Sequence, residues 1–327
     1  MSNRTFDRLK PRVGETVDSV EGLTVEAGKV AEFAGAIGDD NPIFRDAGGE
    51  TRGFERIPAP LTFTRTSMFP RYRPEGSGRL GFDLGFDIRY ELHGEQAYEF
   101  SRPVYVGDTL SGTTTLTDVY ERDGAKGGTM TFAVLNTEYV DEDGTQVISE
   151  RSTLIETASA IEGPNGASET DTHISNEGRA RVRHPASEFK VDSVEDVAVG
   201  DAAPQIIVEG LTPVDFVRYA GASGDFNPIH YDAQYAKELG NPSVFGQGML
   251  TAGYAGNVVA DWFGLERIRR FSTRFTARVW LGDTLTVGGT VTSVDSSAVT
   301  AELTVTRQTG DVVLRGETTA EFSTHEP

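Results

Sequence analysis

The sequence predicts an α+β protein made of two copies of one fold. Three observations predict it: an internal duplication, a capped helix early in the second copy, and period-two strands that close both copies. Residues 33–48, FAGAIGDDNPIFRDAG, align without gaps on residues 219–234, YAGASGDFNPIHYDAQ, with ten of sixteen positions identical. In the same order VYVGDTL (104–110) matches VWLGDTL (279–285), and VEGLT (20–24) recurs at 208–212. Copies of roughly 130 to 150 residues are ordinary domains and too large for solenoid units, so two of them read as a pseudo-dimer.

Taken in order, residues 1–156 form the first copy, with a helix over 24–37 and strands near 95–106, 109–120, 129–140 and 145–157. Residues 157–187, poor in large apolar side chains and rich in Gly, Ser, Thr and Asn, read as a linker. In the second copy, residues 188–327, Thr212 is a good helix cap and Pro213 suits the first helical position. VDFVRYAGAS then supplies a helix whose small residues allow close packing, and it ends near Gly224. A second helical stretch spans 232–239. Strands follow at 268–281, 284–294, 299–308 and 311–322, with turns at Gly282-Asp283 and Thr309-Gly310-Asp311. A helix followed by an antiparallel sheet in each copy gives the α+β class.

The 327 residues include 50 Asp+Glu, 30 Lys+Arg and no cysteine, for a net charge of −20. Without cysteine there is no disulfide framework, cysteine zinc site, iron–sulfur site or thiol nucleophile. The histidines at 93, 173, 184, 230 and 325 are scattered, so no metal site is expected. His173 and His184 fall in the linker and His325 in the tail, where solvated surface is expected, and His93 is expected to pack or cap. No apolar run approaches the roughly 20 residues of a membrane span, and residues 1–12 are too polar for a signal core, so a soluble cytoplasmic protein is expected. The acidic excess is spread along the chain, and the basic side is 25 Arg to 5 Lys. That balance suits a high-salt cytosol and argues against nucleic acid and anionic membranes as partners.

The segment Ser223-Gly224-Asp225-Phe226-Asn227-Pro228-Ile229-His230-Tyr231-Asp232 carries the chemistry. Asp and Asn before Pro are ordinary turn residues, but the histidine adds a second titratable group. Across the turn set by Pro228, His230 is expected to face the Asp225 carboxylate so that the pair shares one water. The first copy keeps Asp39, Asn41, Pro42 and Asp46 but has Phe44 where the second has His230. Only the second copy is therefore expected to react.

Tyr219-x3-Ser223-Gly224-Asp225-x-Asn227-Pro228-Ile229-His230-x-Asp232-x2-Tyr235-Ala236 resembles the hydratase-2 motif of the MaoC-like family, the R-specific enoyl-CoA hydratases and 3-hydroxyacyl dehydratases. The first half, through Leu92-His93-Gly94-Glu95-Gln96 and Arg102-Pro103-Val104, resembles the degenerate N-terminal half of fused members. The resemblance implies a tandem hot-dog fold, each half an antiparallel sheet wrapped around a long helix, with an acyl tunnel opened in the degenerate half. It further implies syn addition of water to a trans-2-enoyl thioester by Asp225 and His230, with Asn227 orienting the water or the loop. The backbone N–H of Gly248, in the turn Phe245-Gly246-Gln247-Gly248-Met249, would meet the thioester oxygen, and Gln247 stands where many relatives have His. No metal or redox cofactor is implied, coenzyme A being part of the acyl-CoA substrate, and a homodimer of the pseudo-dimeric chain is the assembly allowed for. Arg267, Arg269, Arg270, Arg274 and Arg278 form a basic run. On a strand 270, 274 and 278 share a face, so Arg270 and Arg274 are candidates for the coenzyme A phosphates, salt bridging being the alternative. Rival readings are a hydratase of a branched or dicarboxylic (mesaconyl-type) enoyl-CoA, a dehydratase of carrier-protein thioesters, and a non-catalytic acyl-CoA-binding subunit. An arginine lining the acyl pocket, instead of apolar walls, would favour the first.

Overall fold

The computed structural model describes residues 4–45, 56–78, 80–124, 128–157, 178–184 and 190–322. Its strands are β1 (Thr16–Thr24), β2 (Glu91–Phe100), β3 (Thr109–Asp123), β4 (Thr129–Val140), β5 (Gln146–Glu156), β6 (Arg181–Arg183), β7 (Ile206–Glu209), β8 (Ile268–Phe275), β9 (Leu285–Val294), β10 (Ala298–Arg307) and β11 (Val312–Glu321). The helices are α1 (Arg4–Leu9), α2 (Ala27–Ala36), α3 (Pro213–Ser223), α4 (Ala233–Glu238) and α5 (Gly248–Phe263). Of the expected linker, residues 158–177 and 185–187 lie outside the described residues, and β6 adds a strand beside β7.

All the strands form one antiparallel sheet in the order β1-β3-β4-β5-β2-β8-β11-β10-β9-β7-β6. The first five mirror the next five about the β2–β8 junction, as the duplication requires. At that junction Glu95 lies opposite Arg274, Tyr98 opposite Phe271 and Glu99 opposite Arg270. Opposite charges facing across the ladder, with an aromatic pair between them, favour this register over a slipped one. One hydrophobic core then runs through both halves, from Val30 and Phe33 to Phe263 and Phe271.

Two expectations are corrected. The longest helix of the second half is α5, with sixteen residues, and not the eleven-residue helix at 213–223. Its sequence GMLTAGYAGNVVADWF is apolar or small on almost every side and almost wholly buried, so it carries no amphipathic stripe by which to read it. The strand expected over 268–281 stops at Phe275; Trp280 makes only an isolated bridge to Phe245. The first half repeats this, with Tyr105 bridging Pro58 and β2 ending at Phe100. That correspondence places the short 3-10 helix Phe63–Met68 where the second half has α5. The degenerate half has thus lost its central helix, and α5 packs its small residues toward it. Asn257 Nδ2 donates to the Ile37 carbonyl at 2.9 Å, and a Cβ on Gly253 would stand 2.5 Å from the Ile37 side chain.

Candidate active site

α3 opens on a capping box between Thr212 and Asp215 and ends at Gly224, whose φ of +83° lies in the left-handed region open to glycine. A Cβ there would also meet the Phe69 backbone nitrogen at 2.9 Å, so the loop leaving α3 is pressed against the first half. Asp225 follows, its N–H donating to Ser223 Oγ at 3.2 Å. Asn227 Oδ1 accepts the Ile229 N–H at 3.2 Å, and Asn41 Oδ1 accepts the Ile43 N–H at the same distance in the first half. The two halves share this bond, and in each it caps the loop from within.

His230 is buried, with Nδ1 2.7 Å from the Phe245 carbonyl oxygen. A carbonyl only accepts, so Nδ1 carries the proton and the lone pair of the neutral ring sits on Nε2. Asp225, Asn227, His230, Gly246 and Gly248 line a single cavity of about 490 Å³. Gly248 lies in no isolated tight turn, as the sequence suggested, but is the first residue of α5. Amide hydrogens at that position have no acceptor within the helix and sit at the positive end of its dipole. Gln247 is buried and donates through Nε2 to the Phe216 carbonyl at 3.0 Å, which ties the start of α5 to α3.

Two residues that sequence reasoning did not place here come from the first half. His93 and Arg65 line the same cavity. His93 Nε2 lies 3.0 Å from Gln96 Oε1 and 3.1 Å from the Glu95 carbonyl. Burial, then the charge of Arg65, pushes its pKa down to about 3, so the ring is neutral. For Arg65, burial works against the charge, while Asp225, then Tyr219, Tyr98 and Glu150, outweigh it and hold the guanidinium above its ordinary pKa. The one signal in the sequence was that His93 belongs to the segment carrying the first half's resemblance; nothing marked Arg65.

The basic run divides differently from the expectation. Because β8 stops at Phe275, the period-two face does not continue to 278. Arg270 and Arg274 are exposed on β8 and outside the cavity wall, and Arg274 pairs with Glu95 at 3.6 Å. Arg278 does line the cavity, 5.0 Å from the Phe245 ring centroid, with its pKa lowered by burial. Arg307 also lines it, but its charge is answered by Asp311 at 2.6 Å and Asp283 at 3.9 Å.

The corresponding place in the first half is filled. Phe44 is 1% exposed and packs beside Asp39. Burial, against the Asn41 N–H bond and with some help from Asp261, pushes Asp39 up to about 6. His184 is exposed, as expected of a solvated histidine, and lies 3.6 Å from Asp261. His173 and His325 lie outside the described residues. Where an acyl tunnel through the first half was expected, Leu80, Leu92 and Leu154 of that half line the cavity with Arg65. Beyond Arg65 the interior narrows to a polar cleft of about 20 Å³ lined by Thr64, Ser67, Arg73, Tyr139 and Glu150. Among the described residues no three His, Asp or Glu side chains gather to hold a metal ion, and no helix is long and apolar enough to cross a membrane.

With this geometry in view, residues 12–150 match the family description "FAS1-like, dehydratase domain region" and residues 196–312 match "MaoC like domain". A UPF0336 protein of Thermobifida fusca is 30% identical over 154 residues, covering 46% of this chain and 95% of that relative. Among solved structures, a MaoC-like dehydratase superposes with TM-score 0.76 at 27% identity, covering 96% of this chain and all of that one. A Mycobacterium tuberculosis protein described as having a double hotdog fold superposes with TM-score 0.62 at 16% identity, covering 97% of each chain.

Proposed function

Because the chain belongs to the MaoC-like dehydratase family in its double hot-dog form, we propose that it adds water to trans-2-enoyl-CoA to give (R)-3-hydroxyacyl-CoA, or runs the reverse dehydration. The observation that carries this reading is the Nδ1 bond of His230 to the Phe245 carbonyl, which leaves Nε2 as the proton acceptor in a cavity that Asp225 also lines. A water held between them gives up a proton to Nε2 as its oxygen bonds to C3. The electron pair of the C2–C3 double bond moves to C2 and the thioester carbonyl. C2 then takes a proton from the pair through the Asp225 carboxyl, and exchange between the two side chains returns both to their starting states. Water is consumed and no other reagent is needed.

The charge that builds on the thioester oxygen faces the Gly248 N–H at the positive end of α5, an arrangement that acts mainly in the transition state. Asn227 keeps the loop, and so the spacing of the pair, in place. Arg278, the member of the basic run that reaches the cavity, replaces Arg270 and Arg274 as the candidate contact for an anionic part of coenzyme A. The test is loss of the enoyl-thioester absorbance with crotonyl-CoA, comparing wild type with Asp225→Asn. Rapid loss with wild type, slowed by about 10² to 10⁴ in the variant, is the expected result for a proton-transfer group. Equal rates for the two proteins would remove Asp225 from the mechanism.

A further inference from the structure

Arg65 stands apart from the other arginines of the cavity. It lines the wall that also carries Asp225 and His230, and equally the polar cleft beyond, with Thr64, Arg73 and Glu150. It therefore sits on the side of the reacting pair that faces the interior of the first half, where the end of an acyl chain would lie. No side-chain hydrogen bond or ion pair reaches its guanidinium among the described residues, and its Nε is fully buried without a partner. Two neutral hydroxyls of the interior, those of Tyr98 and Tyr219, are 1% and 0% exposed and also have no partner. Asp225 and Glu150 answer the charge of Arg65 only from beyond hydrogen-bonding distance, and a hydrocarbon tail laid against it would strip away what solvation the cavity still allows.

We propose that Arg65 receives a carboxylate carried at the far end of the acyl chain, so that the substrates are short enoyl thioesters bearing a second acid group. This rests on the hydratase reading of the same site and narrows it. The chain must be short, because the carboxylate with the strongest hold on Arg65 is Asp225, a member of the reacting pair. The fork of the guanidinium suits a planar carboxylate, and the neutral His93 beside it adds no opposing charge. Contributed by the half without the Asp/His pair, Arg65 gives that half a role in recognition.

The test uses the full-length protein in molar KCl with crotonyl-, fumaryl- and mesaconyl-CoA, comparing wild type with Arg65→Met and Arg65→Lys. Wild type is expected to favour the two dicarboxylic thioesters in kcat/KM. Arg65→Met should shrink that preference by about 10- to 150-fold, the range for a hydrogen bond to a charged group, mostly through KM, with partial recovery in Arg65→Lys. No preference in wild type, or an equal loss on both classes in Arg65→Met, overturns the proposal and leaves the hydratase reading standing, with Arg65 serving Asp225. Calorimetric titration with the unreactive succinyl-CoA and butyryl-CoA separates the two claims. Tighter binding of succinyl-CoA that depends on Arg65, without hydration of any substrate, would keep the carboxylate site and end the hydratase reading. Should the variants not fold, equal wild-type affinity for the two saturated thioesters would still refute the carboxylate site.

Discussion

At the scale of single residues, the duplication supplies an internal control: two loops with the same Asn–Pro turn, one with an imidazole and one with a phenyl ring. His230→Asn keeps a donor for the Phe245 carbonyl while deleting Nε2. Its kcat is expected to fall by about 10² to 10⁴ with an unfolding midpoint close to wild type; a variant that keeps its rate would show that Nε2 takes no part. Asp39 gives a prediction about pH. Its folded-state pKa of about 6 lies above the ordinary carboxylate value, so the folded protein holds this proton more tightly than the unfolded chain. The associated stability is complete in acid and is lost as pH rises through 6, by about 3 kcal/mol for a shift of roughly two units. His184, raised first by its bond to Asp261, is present in both proteins. Asp39→Asn should therefore stabilise the protein by up to that amount at pH 7.5 and hardly at all at pH 4 in urea unfolding; the same increment at both pH values would refute the assignment. Asp225, Asn227 and His230 were legible in the sequence because one turn holds all three. Arg65 and His93 were not, because contacts between segments far apart along the chain bring them there: the 3-10 helix of Arg65 packs against α3, and the β2 strand of His93 pairs with β8.

At the scale of elements, the strands and α3 were readable because alternation and a Thr–Pro cap act locally. α5 escaped because a helix buried on every side has no polar face to set a period, and its three glycines lower its apparent propensity. The start of that helix allows a clean test of the backbone donor. Gly248 is the first helical residue, and Gln247 before it has φ −60° and ψ 134°, the extended conformation that a following proline prefers. Proline at the first helical position costs no intrahelical bond, so Gly248→Pro deletes the N–H while sparing α5. Gly248→Ala is the control, since both variants place a Cβ about 3.2 Å from the Phe275 ring. Relative to Gly248→Ala, kcat should fall by about 10² to 10³, the usual cost of removing one such donor. If the two variants turn over alike, the Gly248 amide does not stabilise the transition state.

At the scale of the whole molecule, the duplication made the two halves legible, while their fusion into one sheet with a shared core was not, since a repeat says nothing of how its copies meet. The fusion places both the proposed pair and its charged neighbour at the seam: Asp225 and His230 from one half, Arg65 and His93 from the other. A protein organised in this way should unfold as one unit even though its sequence is a tandem repeat. The helix α5 supplies the lever for testing that, because its Gly253 faces Ile37 of the other half. Alanine for glycine in mid-helix ordinarily stabilises by about 1 kcal/mol, but here the added methyl would stand 2.5 Å from the Ile37 side chain, and overpacking of this kind costs about 1 to 3 kcal/mol. Gly253→Ala is thus expected to lower a single calorimetric transition, and Ile37→Ala in the same chain to restore part of the loss, a coupling that only contact between the halves produces. Two separate transitions, or a Gly253→Ala effect indifferent to residue 37, would show the halves folding independently, and the cavity at their seam would then lack the rigid support that both the proposed water-activating pair and Arg65 require.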